Sequence, residues 1–123
     1  MKSKDLGAMS IEELVTRFEA IALEQDDAIS NDENGKYNRL FREMDTLKKE
    51  LKSRDGDQRR ALLPLLKHKN MQVRLKAAIA TLAVDAAAAR QCLQQISDSN
   101  IYPEAADARG MMTAIDDGTY VPS

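Results

Sequence analysis

Cysteine and histidine, which serve in cross-linking, metal binding and catalysis, are scarce in this sequence. Its 123 residues include one cysteine, one histidine and no tryptophan. A single cysteine, Cys92, cannot form an internal disulfide, which fits a protein from a reducing compartment. With His68 as the sole histidine, a His–Cys pair would need both of these residues. We interpret Cys92 as a small core residue and His68 as an exposed residue of a turn.

Long hydrophobic runs are also absent. No apolar stretch approaches the ~20 residues that a membrane-spanning helix needs, and no long apolar run follows a basic start near Met1. The sequence therefore predicts a cytoplasmic protein that does not associate with a membrane.

The familiar motifs of catalysis and phosphate binding are missing too. The chain contains no glycine-rich phosphate loop, no G-x-S-x-G sequence and no C-x-x-C pair. Its adjacent acidic residues, such as Asp116 and Asp117, would point about 100° apart on a helix, so they do not converge on one substrate. We therefore expect a protein that is not an enzyme and that holds no cofactor.

One short segment resembles part of a calcium-binding loop. Ser30, Asp32, Asn34 and Gly35 occupy positions one, three, five and six of that pattern, where oxygen ligands and a glycine turn are required. Position twelve should be a bidentate glutamate, but it is Phe41. We interpret the segment as an ordinary turn between helices and predict no metal site.

The residues that are abundant favour helices. Hydrophobic residues make up 43% of the chain and charged residues 31%, an ordinary balance for a soluble domain. Most of the apolar residues are Ala, Leu, Ile and Met, which favour helices over strands. The sequence predicts an all-α fold with a mobile arm at 1–9, a single helical domain at 10–118 and a tail at 119–123.

Local signals divide this domain into about six helices. Ser10 and Glu13 have the spacing of a capping box, Asn70 and Asp85 are suited to cap later helices, and Gly118 is suited to end the last one. The first helix is expected to fray from about residue 26. The predicted helices are 10–26, 36–52, 58–67, 71–84, 86–97 and 103–117.

Two of these helices have informative apolar patterns. The fourth, 71–84, has apolar residues on two opposite sides, which is typical of a helix packed between neighbours. The second, 36–52, has one basic side, and its apolar side is predicted to carry Tyr37, Leu40, Phe41, Met44, Leu47 and Leu51.

The third and fourth predicted helices resemble a HEAT-type repeat of the armadillo-like α-α superhelix. The resemblance rests on the LLPLL run, a turn, the Val73-Arg74 pair, Ala77-Ala78 and Leu82-Ala83, over about 24 residues. The whole chain also resembles a small family of uncharacterised bacterial domains of unknown function. This resemblance implies an irregular HEAT-like α-α superhelix that offers a surface to other macromolecules. It implies no activity.

Charge is unevenly distributed along the chain. Residues 1–35 carry a net charge of −6, residues 36–76 carry +8, and residues 77–123 carry −4. Either the acidic and basic helices neutralise each other within the domain, or the basic segment binds an acidic partner. If the basic segment binds a partner, we predict that the binding surface lies around the HEAT-like pair of helices. Its residues are Arg59, Arg60, Lys67, His68, Lys69, Arg74 and Lys76.

These observations predict a non-enzymatic helical-repeat protein that mediates protein–protein interaction or regulation. The alternative is a weak nucleic-acid binder that uses the basic 36–76 segment. Against that alternative, the basic residues from Lys48 to Lys76 have no aromatic residues interleaved among them for base stacking, and the pI is about 5.4. The sequence leaves open whether the protein is a monomer or a small homo-oligomer.

Overall fold

The computed structural model describes residues 5–123, and all regular structure in this range is helical. Two segments form 3-10 helices, Leu6–Ala8 and Gln58–Lys67. The α-helices are Ile11–Ser30 (α1), Asn34–Ser53 (α2), Met71–Thr81 (α3), Ala86–Ser99 (α4) and Glu104–Asp116 (α5). The all-α prediction is confirmed. Within the described range, no helix combines the length and apolar composition needed to span a membrane.

The chain divides into two compact units, with the boundary between Ala61 and Leu62. A single helical domain over 10–118 stays a prediction, and the two units are described separately. Residues 1–4 of the predicted arm lie outside the described range.

In the first unit, α1 begins at the predicted capping box and runs further than expected. The amide of Glu13 donates to Ser10 Oγ at 3.0 Å, and the amide of Ser10 donates to Glu13 Oε1 at 2.8 Å. The expected fraying from residue 26 is wrong, since α1 continues to Ser30. Gln25 and Ala28 are both buried, and they extend the inward side of the helix by another turn.

The connection from α1 to α2 is too short for a calcium-binding loop. Only residues 31–33 separate the two helices, and α2 begins at Asn34 instead of Lys36. Gly35, which should form the sharp turn of that loop, therefore lies within α2, where the chain does not wrap around a cation. The interpretation as an interhelical turn is confirmed.

Helices α1 and α2 pack against each other and bury long apolar side chains. Across them, Arg17 forms an ion pair with Glu43. The buried apolar residues of the two helices are Leu14, Phe18, Ile21, Ala22, Ala28, Leu40, Met44, Leu47 and Leu51.

Residues 5–9 of the predicted arm are attached to the end of α2. The guanidinium of Arg54 donates from Nη2 to the carbonyl oxygens of Leu6 at 3.0 Å and Met9 at 2.9 Å. Its Nε also donates to Glu50 Oε2 at 2.6 Å. This one side chain therefore fixes the short 3-10 helix that precedes α1.

The segment Gln58–Lys67 is a 3-10 helix instead of the α-helix predicted at 58–67. Pro64 explains the difference, because proline has no amide hydrogen and its ring clashes with the carbonyl four residues earlier in an α-helix. The LLPLL run still buries two of its leucines, Leu62 and Leu65.

In the second unit, α3 is covered on almost every side. The side chain of Asn70 caps it as predicted, accepting from the amide of Val73 at 3.1 Å. It ends at Thr81, before the predicted Val84, and Asp85 then caps α4. Eight of its eleven residues are buried: Gln72, Val73, Leu75, Lys76, Ala77, Ala78, Ala80 and Thr81. Polar positions are therefore buried alongside the two apolar stripes.

Enlarging a small residue of α3 is expected to destabilise the protein. Ala78 is fully buried within a cluster that includes Leu75 and Leu93. The change Ala78→Leu should lower the free energy of unfolding by ~1–3 kcal/mol, because its extra atoms have no space in a filled core. Urea denaturation measures the change. Ala87→Leu on exposed α4 surface is the control, and equal midpoints for both variants would contradict this packing of α3.

Helices α4 and α5 pack together and bury Ala89, Cys92, Leu93, Ile96, Ala105, Ala108 and Met112. Arg109 holds the connection between them, since it donates to the Ser97 carbonyl oxygen at 2.7 Å, to Asn100 Oδ1 at 2.5 Å and to the Tyr102 hydroxyl at 2.5 Å. Gly118 follows α5 with a φ of +79°, as its predicted role in ending the helix requires.

Candidate interaction surface

Two predicted surface residues, Arg59 and Arg60, belong to the first unit. Arg59 donates from Nε to Asp57 Oδ1 at 2.8 Å and from Nη2 to Asp57 Oδ2 at 2.6 Å. This hydrogen bonding lowers the pKa of Asp57. Arg59 is therefore occupied by its neighbour and largely buried, whereas Arg60 is exposed.

The other predicted residues lie in the second unit, either at the turn that precedes α3 or within α3 itself. Arg74 donates from Nη1 to the carbonyl oxygens of His68 at 2.7 Å and Lys69 at 3.1 Å. His68 Nδ1 accepts from the amide of Asn70 at 2.9 Å. Arg74 and His68 thus stabilise the turn, and His68 is half-buried instead of exposed.

Burial leaves few of the predicted residues available to a partner. The side chain of Lys76 is only 9% exposed. Lys67 and Lys69 are exposed on either side of His68. The predicted partner-binding role of the whole set stays a prediction, with Arg60, Lys67 and Lys69 as its accessible members.

A more continuous set of exposed charges lies on α2. Four basic residues face solvent, which we call the basic α2 face: Arg39, Arg42, Lys49 and Lys52. They follow one another at steps of three and seven residues, and such spacing keeps side chains on one side of a helix. Asp45 is the acidic residue among them, and its carboxylate is paired with Lys49 at 3.1 Å. A helical projection of the predicted 36–52 helix would have identified this set.

An aromatic side chain borders the basic α2 face. Phe41 is 51% exposed, so its predicted place on the apolar side of the helix is wrong. Leu40, the preceding residue, takes the inward position, and a step of 100° carries Phe41 out toward solvent. The surface therefore combines positive charge with an apolar side chain.

The outward side of α1 has the opposite charge. This helix contains six acidic residues and one basic residue, Arg17, which is engaged by Glu24 at 3.5 Å and by Glu43. Four acidic side chains lie on its outward side, which we call the acidic α1 face: Glu12 and Asp27, which are exposed, and Glu19 and Asp26, which are partly buried. Leu23 lies among them and is 40% exposed.

The thiol of Cys92 lies in the protein core. Cys92 is buried, and burial raises the pKa of its thiol. Its Sγ lies 3.8 Å from both the Leu66 and the Arg74 carbonyl oxygens. Across residues 5–123, no three His, Cys, Asp or Glu side chains come together in a group that could hold a metal ion.

Comparison with known proteins identifies a family and a structural relative. Residues 12–116 match the model of a domain of unknown function, DUF2019. The chain is similar to protein RPA1889 from Rhodopseudomonas palustris CGA009, whose crystal structure it matches with a TM-score of 0.94 and 45% sequence identity. The match covers 98% of this chain and 100% of that one. No curated protein matches the sequence.

Proposed function

The chain belongs to the DUF2019 family, whose description names no activity, and we propose from its surface that it is a non-enzymatic protein that binds protein partners. The basic α2 face is the proposed binding surface. The predicted HEAT-like character is part of this proposal, and it is supported by the consecutive packing of α3 on α4 and of α4 on α5.

The observation that carries the proposal is the exposure of the basic α2 face on a helix of 20 residues. Arg39, Arg42 and Lys52 make no ion pair with any residue in the described range. Clustered positive charge of this kind attracts acidic surfaces and speeds their association. The neighbouring Phe41 adds an apolar contact, and aromatic side chains are enriched at the centres of protein interfaces.

The surroundings of Cys92 and His68 support the part of this proposal that the protein is not an enzyme. Raising the pKa of the Cys92 thiol reduces the fraction of nucleophilic thiolate at neutral pH. His68 Nδ1 is occupied by a backbone amide, which leaves that atom unavailable as a base.

A charge-reversal experiment tests the proposed surface. The double variant Arg42→Glu with Lys52→Glu should lose at least about tenfold in affinity for partners captured by the parent protein, since reversed charge repels an acidic surface. Cross-linking in lysate followed by quantitative mass spectrometry measures the loss. The matched control is Lys67→Glu with Lys69→Glu, which changes the net charge equally in the second unit.

The two double variants distinguish the basic α2 face from the predicted surface around the turn. Loss of partners only in the α2 variant supports the basic α2 face, and loss only in the control assigns binding to the predicted turn surface instead. The nucleic-acid alternative is tested on the same proteins with mixed duplex and single-stranded probes at low salt. Binding that weakens steeply with salt and requires Arg42 and Lys52 would replace the protein-partner proposal.

A further inference from the structure

The basic α2 face and the acidic α1 face are complementary in charge, length and apolar content. Each belongs to a helix of 20 residues, which is about 30 Å long. Each also has one exposed apolar side chain, Phe41 on α2 and Leu23 on α1. A surface of each sign is thus present on every copy of the chain.

From this complementarity, we infer that the acidic α1 face of a second copy of this chain binds the basic α2 face. The inference rests on the proposed binding role of α2 and identifies the partner. It also gives a function to Leu23, which points away from the buried residues of α1.

Residue spacing specifies the orientation of the two helices. Leu23 follows Glu12 by eleven residues, and Lys52 follows Phe41 by eleven residues. Eleven residues complete about three helical turns over about 16 Å, so the members of each pair lie on one side of their helix. An antiparallel arrangement therefore places Leu23 against Phe41 while Glu12 meets Lys52.

The same arrangement brings one pair of acidic residues opposite each other. In this register, Asp45 comes opposite Glu19 of the other copy. The carboxylate of Asp45 is already paired with Lys49 at 3.1 Å, which reduces the repulsion at this point.

The expected association is weak and open-ended. A strip about 30 Å long and about 10 Å wide buries about 300 Å² on each copy, well below the ~800 Å² per partner of a stable complex. Two different faces meet at each contact, so every added copy leaves one face of each sign unused. The average mass should therefore rise steadily with concentration.

Sedimentation analysis of the full chain tests this inference. Between about 10 μM and about 1 mM, the parent protein should show a rising average mass at low salt and a smaller rise at about 0.5 M salt. Two charge-reversed proteins, Arg42→Glu with Lys52→Glu and Glu12→Lys with Asp27→Lys, should each remain monomeric. Their equimolar mixture should regain association, because the reversed faces are complementary to each other.

The apolar contact is tested in the same assay. Leu23→Ser should weaken association at least about tenfold, whereas Ile101→Ser, at a 55% exposed position of the second unit, should leave it unchanged.

A parent protein that is monomeric throughout the concentration range would overturn the inference, as would charge-reversed proteins that associate like the parent. If the parent is monomeric but its captured partners still depend on Arg42 and Lys52, the proposed function stands without this partner. If neither assay depends on those two residues, both proposals fail.

Discussion

Replacing Phe18 by alanine is expected to lower the free energy of unfolding by ~3–5 kcal/mol. Phe18 is a fully buried side chain on the inward side of α1. The change removes a whole aromatic ring from a region where close packing leaves little space for neighbours to move in. A loss of this size is a large share of the ~5–15 kcal/mol by which a typical domain is stable.

The chain offers a matched control for this change. Its other phenylalanine, Phe41, is 51% exposed, and Phe41→Ala should change the free energy of unfolding by less than about 1 kcal/mol. Urea denaturation followed by circular dichroism measures both variants. Similar losses for the two would contradict the inward placement of Phe18. The inferred self-association should respond in the reverse order, because Phe41 is the contact residue.

The second large effect is expected at Leu93 in the other unit. Leu93 is fully buried in the cluster that joins α3, α4 and α5, and Leu93→Ala should lower the free energy of unfolding by ~2–5 kcal/mol. We expect a value in the upper part of this range. Several members of the cluster are alanines, such as Ala78, Ala89 and Ala108, and their short side chains cannot rotate into the space that is left.

The control is a leucine with a different environment. Leu23 is 40% exposed, so Leu23→Ala removes little buried surface and should cost less than about 1 kcal/mol. Native-state hydrogen exchange adds a local measurement, since protection in α3 to α5 should fall in the Leu93 variant. Unchanged protection there would contradict the central position of this side chain in the second unit.

Helix starts could be predicted because their determinants are local. Ser10, Asn70 and Asp85 each accept a hydrogen bond from an amide three residues later, so the sequence alone indicates where α1, α3 and α4 begin. Helix ends depend on more distant contacts. The last turn of α1 forms because Gln25 and Ala28 are buried, and the polar run at 24–27 gives no indication of this burial.

The candidate surface was predicted only as a region of charge. The excess of basic residues in 36–76 is a property of the sequence, but their availability depends on hydrogen bonds and burial in the folded chain. Arg59 is occupied by Asp57, and Arg74 by two carbonyl oxygens of its own turn. Charge patterns do not reveal such bonds, since either arginine could equally have faced solvent.

By itself, the sequence determined the all-α fold, the starts of α1, α3 and α4, and the opposite charges of the first two helices. Amino-acid propensities and hydrogen bonds between residues three or four apart are sufficient for these features. The tertiary structure alone decided which side chains remain exposed: Lys76 became buried and Phe41 was left at the surface. The physical reason is that exposure depends on which other helices cover a position, and those helices come from distant parts of the chain.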